Sequence, residues 1–99
     1  MSNVRVLVVG GIDRLHPFYR DAPRGIDVDV AKGDSPSLEA RAESADAVVL
    51  VTGFVSHAAA DKIRGVVRRR GIPLASATGG GVSRVRASIA EAFALARSA

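Results

Sequence analysis

The sequence predicts an α/β fold built on a four-stranded parallel sheet, and two observations lead to this prediction. Short β-branched runs alternate along the chain with segments that have helical periodicity. Two of the runs are almost continuously apolar, which is typical of strands covered by helices on both faces. Alternation of this kind predicts right-handed crossovers between parallel strands. We expect the strand order 2-1-3-4, as in a truncated flavodoxin-like or Rossmann-like three-layer sandwich.

Four segments have the pattern of strands. Val4–Val9 and Ala47–Val51 are the two continuous runs and predict the central strands. Residues 26–30 alternate strictly between apolar and acidic residues, which indicates an edge strand with one wet face. Residues 72–75 form a weaker fourth run, and Pro73 places it at a strand start or at an edge.

Two short helices are predicted in the first half of the chain. Residues 17–22 form the first, with Pro17 in its opening turn. Leu38–Glu43 forms the second, with Ser35 as its cap and Pro36 at its first helical position.

Two longer helices are predicted in the second half, over residues 56–70 and 83–97. Arg68, Arg69 and Arg70 near the end of the first suit the helix dipole, and Gly71 is a typical terminator. The apolar stripe of the first of these helices contains Ala59, Ile63, Val66 and Val67. The stripe of the second contains Val85, Ile89, Ala92, Phe93 and Ala96.

The length of 99 residues predicts one domain over residues 1–99, and a composition that is 47% hydrophobic is normal for a globular protein. The absence of cysteine excludes disulfides, thiolate metal sites and cysteine nucleophiles. The N-terminal apolar run is short and contains Arg5, so neither a secretory leader nor a membrane span is expected. The expected location is the cytoplasm.

Charge is distributed unevenly along the chain, whose net charge is +4. The first 49 residues carry a net charge of −2, whereas residues 50–99 carry eight basic and two acidic side chains. This basic half favours anionic partners, although basic residues on solvated helix faces explain it equally well. Nucleic-acid binding is disfavoured because aromatic residues are scarce, at 4% of the chain.

Ligands of open parallel sheets bind at the carboxyl ends of the strands, where the strand order reverses. The expected order puts that point between strands one and three, beside the loop after strand four. The residues in these loops that are suited to bind a ligand are Gly10, Gly11, Asp13, Arg14, Thr52, Ser56, His57, Gly80, Gly81, Ser83 and Arg84.

The glycines of these loops allow two interpretations. Gly10 and Gly11 either let the backbone approach a ligand or only form a tight turn. The glycine run that ends at Gly81 precedes a helix, so its backbone amides favour binding of an anion, and Arg84 and Arg86 would add positive charge nearby. The alternative is that this run only connects a strand to a helix.

The two histidines and the tyrosine are also considered as site residues. His57 suits polar recognition or proton transfer, or is merely a surface residue near a cap. His16 and His57 are candidate metal ligands, but two histidines with Asp13 make a poor site, so no metal is expected. The only tyrosine, Tyr19, is interpreted as a residue at the edge of the core rather than a ligand contact.

The chain resembles the bacterial family called domain of unknown function 2325. The resemblance rests on the start at residues 6–11 with Arg14 and Tyr19 after it, and on residues 45–49. It continues through residues 56–57, 70–73 and 81–83. The resemblance implies a compact α/β fold and a bacterial cytoplasmic origin, and it implies no agreed activity.

These observations favour a binding or regulatory module that holds a small anionic ligand, bearing phosphate or carboxylate, at the carboxyl edge of the sheet. One alternative is an enzyme in which His57 acts as general acid or base in the same cleft. A second alternative is an interaction protein that associates with itself, with a homodimer as the simplest form. No cofactor is indicated.

Overall fold

The computed structural model describes residues 3–98. Its sheet has four parallel strands in the order β2-β1-β3-β4, which confirms the predicted topology. The strands are β1 (Val4–Val9), β2 (Ile26–Ala31), β3 (Ala47–Val51) and β4 (Leu74–Ala77). Helices pack on both faces of the sheet.

A 3₁₀ turn at Asp13–Leu15 leads directly into the first helix. The helices are α1 (His16–Tyr19), α2 (Leu38–Glu43), α3 (His57–Arg70) and α4 (Val82–Ser98). Helices α2 and α3 cover one face of the sheet, and α1 and α4 cover the other.

Each central strand contributes side chains to both layers of the core. In β1, Leu7 and Val9 face α2 and α3, whereas Val6 and Val8 face α1 and α4. All five residues of β3 are buried. Burial on both faces explains why these strands are apolar at nearly every position, with the exposed Arg5 of β1 as the exception, rather than at alternate ones.

Helix α3 ends where its local sequence signals indicate. The Ser56 hydroxyl accepts a hydrogen bond from the Ala59 amide at 3.1 Å, which caps the first turn. Gly71 closes the helix with φ of 66°, in the left-handed region. The end at Gly71 matches the prediction from sequence, whereas Ser56, predicted as the first residue of the helix, is its cap.

Helix α2 has the predicted bounds, but the structure corrects its predicted cap. The carbonyl of Ser35 accepts a hydrogen bond from the Leu38 amide at 3.1 Å, so residues 35–38 form a turn before the helix. The cap position belongs to Ser37, whose side chain makes no capping bond. Ser35 is therefore not the cap, and Pro36 lies outside the helix.

Two predicted boundaries were wrong. Helix α1 ends at Tyr19 rather than at residue 22. The carbonyl of Phe18 accepts two hydrogen bonds from the Arg86 guanidinium, at 3.1 and 3.3 Å, instead of one from a backbone amide of a further helical turn. Strand β4 starts at Leu74, two residues later than predicted. Pro73 immediately precedes it and accepts from the Val48 amide at 3.0 Å, which agrees with the predicted place of the proline at a strand start.

Each edge strand has an outward-facing carbonyl that a side chain covers. The carbonyl of Ala31 bonds to β1, so the preceding carbonyl of Val30 points away from the sheet, where the Arg41 guanidinium donates to it at 3.1 Å. In β4, the outward carbonyl of Ser76 accepts from the Ser88 hydroxyl at 3.2 Å. Among residues 3–98, no helix combines the length and apolarity needed to cross a membrane.

Candidate functional site

The loops that follow β1 and β3 are in direct contact at the carboxyl edge of the sheet. The Gly11 amide donates a hydrogen bond to the Phe54 carbonyl at 3.0 Å. The loop that follows β4 joins them, because a Cβ placed on Gly80 would lie 3.4 Å from the Phe54 ring. The three loops therefore form one continuous rim.

Tyr19 connects the first of these loops to the last. Its hydroxyl donates a hydrogen bond to the Gly80 carbonyl and accepts one from the Ile12 amide at 3.1 Å. The side chain is fully buried, deeper than the core-edge position interpreted from sequence. A buried hydroxyl with both a donor and an acceptor partner holds the two loops at a fixed separation.

Protein atoms fill the space beside the rim glycines. Gly10 has φ of +94°, and a Cβ there would lie 2.5 Å from the Phe54 carbonyl oxygen. At Gly11, a Cβ would lie 2.7 Å from the Tyr19 ring, and at Gly80 it would lie 2.8 Å from Ile12. These glycines allow the loops to approach one another.

His16 is buried beneath the rim. Its Nε2 atom lies 3.2 Å from the Gly10 carbonyl oxygen and 3.9 Å from a carboxylate oxygen of Asp13. Because a carbonyl can only accept, Nε2 carries the proton in the first contact. With 4% of its surface exposed, His16 supports the turn after β1 from inside, whereas His57 is exposed at the start of α3.

Five of the predicted site residues lie exposed on the rim: Asp13, Arg14, His57, Ser83 and Arg84. Arg84 donates to the Thr78 hydroxyl at 3.1 Å, which places its guanidinium over the start of the β4 loop. Gly81 is also exposed, with open space where a Cβ would project. Helices α3 and α4 both begin at this rim, so their positive dipole ends face it.

Two further predicted residues use their hydroxyls within the fold. Thr52 donates to the Ala77 carbonyl at 3.1 Å, and Ser56 is occupied as the cap of α3. Arg86 does not add charge near the glycine loop, as the sequence suggested. It reaches instead to the Phe18 carbonyl and to Asp21, at 3.2 Å.

Three basic residues of α3 pair with acidic residues on and before α2. Lys62 contacts Asp34 at 2.6 Å, and Arg69 contacts Glu39 at 3.7 Å. The hydrogen bond that Lys62 donates to the Asp34 carboxylate raises the pKa of Lys62 above its usual value. Arg70 and Glu43 form a third contact of this kind. Much of the positive charge of α3 therefore serves ion pairs between α3 and the α2 region. Among residues 3–98, no group of three or more potential metal ligands is assembled.

Reasoning from sequence did not identify Phe54 as a rim residue. Its side chain is 45% exposed, yet its ring lies close to Gly80 and its carbonyl holds Gly11. The signal in the sequence is the residue type, because phenylalanine is among the residues most often buried.

Comparison with known proteins adds the family. No curated protein and no solved structure matches the chain. A family model described as an uncharacterized protein conserved in bacteria (DUF2325) matches residues 5–92, a range that contains the whole rim and all four strands except Val4, the first residue of β1. The chain therefore belongs to the DUF2325 family.

Proposed function

We propose that this protein is a binding or regulatory module that holds a small anionic ligand, bearing phosphate or carboxylate, on the outer surface of the rim. The observation that supports it is the start of two long helices, α3 and α4, at one rim that also carries exposed Arg14, His57 and Arg84. Helix N-termini and arginine side chains both favour negative charge.

The ligand contacts the outside of the rim rather than the glycine interior. Because Gly10, Gly11 and Gly80 are packed against protein atoms, the anion is held by the outer groups. Gly81, directly before α4, supplies its amide, Ser83 in the first turn of α4 supplies its hydroxyl, and Arg84 supplies the charge. Arg14 and His57, on the neighbouring loops, contact the other polar groups of the ligand.

Calorimetric titration tests this proposal with inorganic phosphate, a nucleoside monophosphate and citrate as probes. We expect saturable binding of at least one probe, weakened about tenfold by Arg84→Gln, the loss expected for one charge-assisted hydrogen bond. Arg68→Gln is the matched control, because Arg68 is an exposed arginine in the last turn of α3, at the opposite edge of the sheet.

The outcomes separate clearly. The proposal is wrong if none of the three probes binds. It is also wrong if a probe binds with an affinity that Arg84→Gln and His57→Ala leave unchanged. A loss of affinity that is equal in Arg84→Gln and Arg68→Gln would indicate general charge attraction and would also count against a site at the rim.

The proposal includes a cytoplasmic location and a homodimer. The chain lacks cysteine, and its family is described as conserved in bacteria. Phe18 is 54% exposed and Leu95 is 42% exposed, and a second copy would cover such side chains. Light scattering tests the dimer, and a monomer at every concentration measured would exclude it.

A further inference from the structure

A slot of about 420 Å³ lies away from the rim, between α4 and the segment that connects α1 to β2. It exists because α1 is only four residues long and leaves part of the sheet beside β2 without a helical cover. Ile26 of β2 lines the slot and is partly exposed. Ligand pockets in proteins have volumes of roughly 300–1,000 Å³, so the slot suits a small molecule.

The walls of the slot are mainly apolar. Pro23 and Ile26 line one side, and Ile89 and Ala90 of α4 line the other. Two charged residues, Arg86 and Asp21, also line it and contact each other at 3.2 Å. The slot is therefore amphipathic, with a hydrocarbon-like interior and an ion pair at its border.

The two charges differ in how firmly they are held. Arg86 donates two hydrogen bonds to the Phe18 carbonyl, which fixes the guanidinium to the end of α1. Asp21 has a side chain that is 81% exposed, and its contact with Arg86 is a surface ion pair. Such a pair contributes little stability, so a competing carboxylate displaces Asp21 at low cost. The fixed charge of Arg86 sets the selectivity of the slot for anions.

We infer that this slot binds a small apolar carboxylic acid, with its carboxylate on Arg86 and its hydrocarbon part against Ile26, Ile89 and Ala90. This site is separate from the proposed rim site, because it uses neither Arg84 nor His57. An Arg–carboxylate pair beside an apolar wall gains both charge-assisted hydrogen bonds and buried apolar area.

Calorimetry with octanoate and with octanamide, its uncharged counterpart, tests the inference. We expect octanoate to bind about tenfold more tightly than octanamide, because the amide lacks the charge-assisted bonds to Arg86. Arg86→Gln should remove this difference. Asp21→Asn should tighten octanoate binding several-fold, since it removes the competing carboxylate.

Steric variants locate the site. Ala90→Leu places a larger side chain in the slot and should abolish octanoate binding. Ala87→Leu is the matched control, because Ala87 is an exposed alanine of the same helix that does not line the slot. Circular dichroism of both variants shows whether the fold is intact, and amide shifts of Ile26 and Ile89 on titration provide a readout in the unmutated protein.

Several results would overturn the inference: equal affinity for octanoate and octanamide, binding that Ala90→Leu does not change, or binding that Arg84→Gln abolishes. If octanoate does not bind, and if the protein associates with itself in a way that Ala90→Leu prevents, the slot is occupied by a second copy of the chain instead. Failure of the phosphate, nucleotide and citrate titrations leaves these outcomes unaffected, because the two sites share no residue.

Discussion

The hydroxyl of Tyr19 donates a hydrogen bond to the carbonyl of Gly80, which lies 61 residues further along the chain. The same oxygen accepts a hydrogen bond from the Ile12 amide. A single buried side chain thus joins the loop after β1 to the loop before α4, and the positions of the rim groups depend on it.

Tyr19→Phe should destabilise the protein by about 1–3 kcal/mol, because it leaves a buried carbonyl and a partly buried amide without their partner. Urea unfolding followed by circular dichroism measures the change. Thr78→Val removes a hydroxyl from the same loop at an exposed position and should change stability by less than about 0.5 kcal/mol. Equal effects of the two variants would contradict the role of Tyr19.

The space at Gly10 gives a second prediction. Gly10→Ala should destabilise the fold by about 2–4 kcal/mol, since a positive φ and a clash with the Phe54 carbonyl both oppose a side chain there. Gly53→Ala separates the two causes, because Gly53 has a similar φ of +86° with nothing within 4 Å. We expect about 1–2 kcal/mol for this control in the same unfolding experiment. If both variants lose the same stability, the clash is unimportant.

The two histidines should respond differently to substitution. His16→Ala should cost about 2–4 kcal/mol, because it creates a cavity under the rim and removes the contact with the Gly10 carbonyl. His57→Ala should change stability by less than about 0.5 kcal/mol, since the side chain is exposed. Thermal and urea unfolding of both variants check this, and a large loss in His57→Ala would show that it supports the fold.

A pH-dependent prediction concerns Asp29. The Arg41 guanidinium donates to both of its carboxylate oxygens, at 2.6 and 3.0 Å, and these hydrogen bonds hold the pKa of Asp29 below its ordinary value. Because the pKa is lowered on folding, the stabilisation is present above the unfolded pKa of about 3.9 and is lost as the pH falls through the folded pKa.

Asp29→Asn should therefore destabilise the protein by about 0.5–1 kcal/mol at pH 7, a value limited by the partial exposure of the pair. The difference from the unmutated protein should shrink below about pH 4. Urea unfolding across this pH range measures it, with Asp27→Asn as a control on the same strand. A difference that grew as the pH fell would contradict the assignment.

The parts of the fold that sequence predicted are those governed by local signals. The apolar runs of β1 and β3 and the two ends of α3, at Ser56 and Gly71, depend on residues close in the chain. The end of α1 depends on Arg86, which lies 68 residues beyond Phe18, so no local pattern indicates it.

For the candidate site, topology was sufficient to predict that three loops meet at one edge. It did not predict which groups remain accessible, because that depends on the side chains between the loops. Ile12 and Phe54 fill the space beside Gly80, and the hydrogen bond from the Ile12 amide to the Tyr19 hydroxyl holds Ile12 there. Burial of His16 is likewise a consequence of packing between elements.

The covered carbonyls of Val30 and Ser76 limit how copies of this chain can assemble. An incoming strand from another molecule would have to displace Arg41 at one border of the sheet or Ser88 at the other before it gained its own backbone hydrogen bonds. Growth of a continuous intermolecular ribbon is opposed at both borders. A dimer of this chain would therefore have to form through its helical surfaces rather than by strand addition.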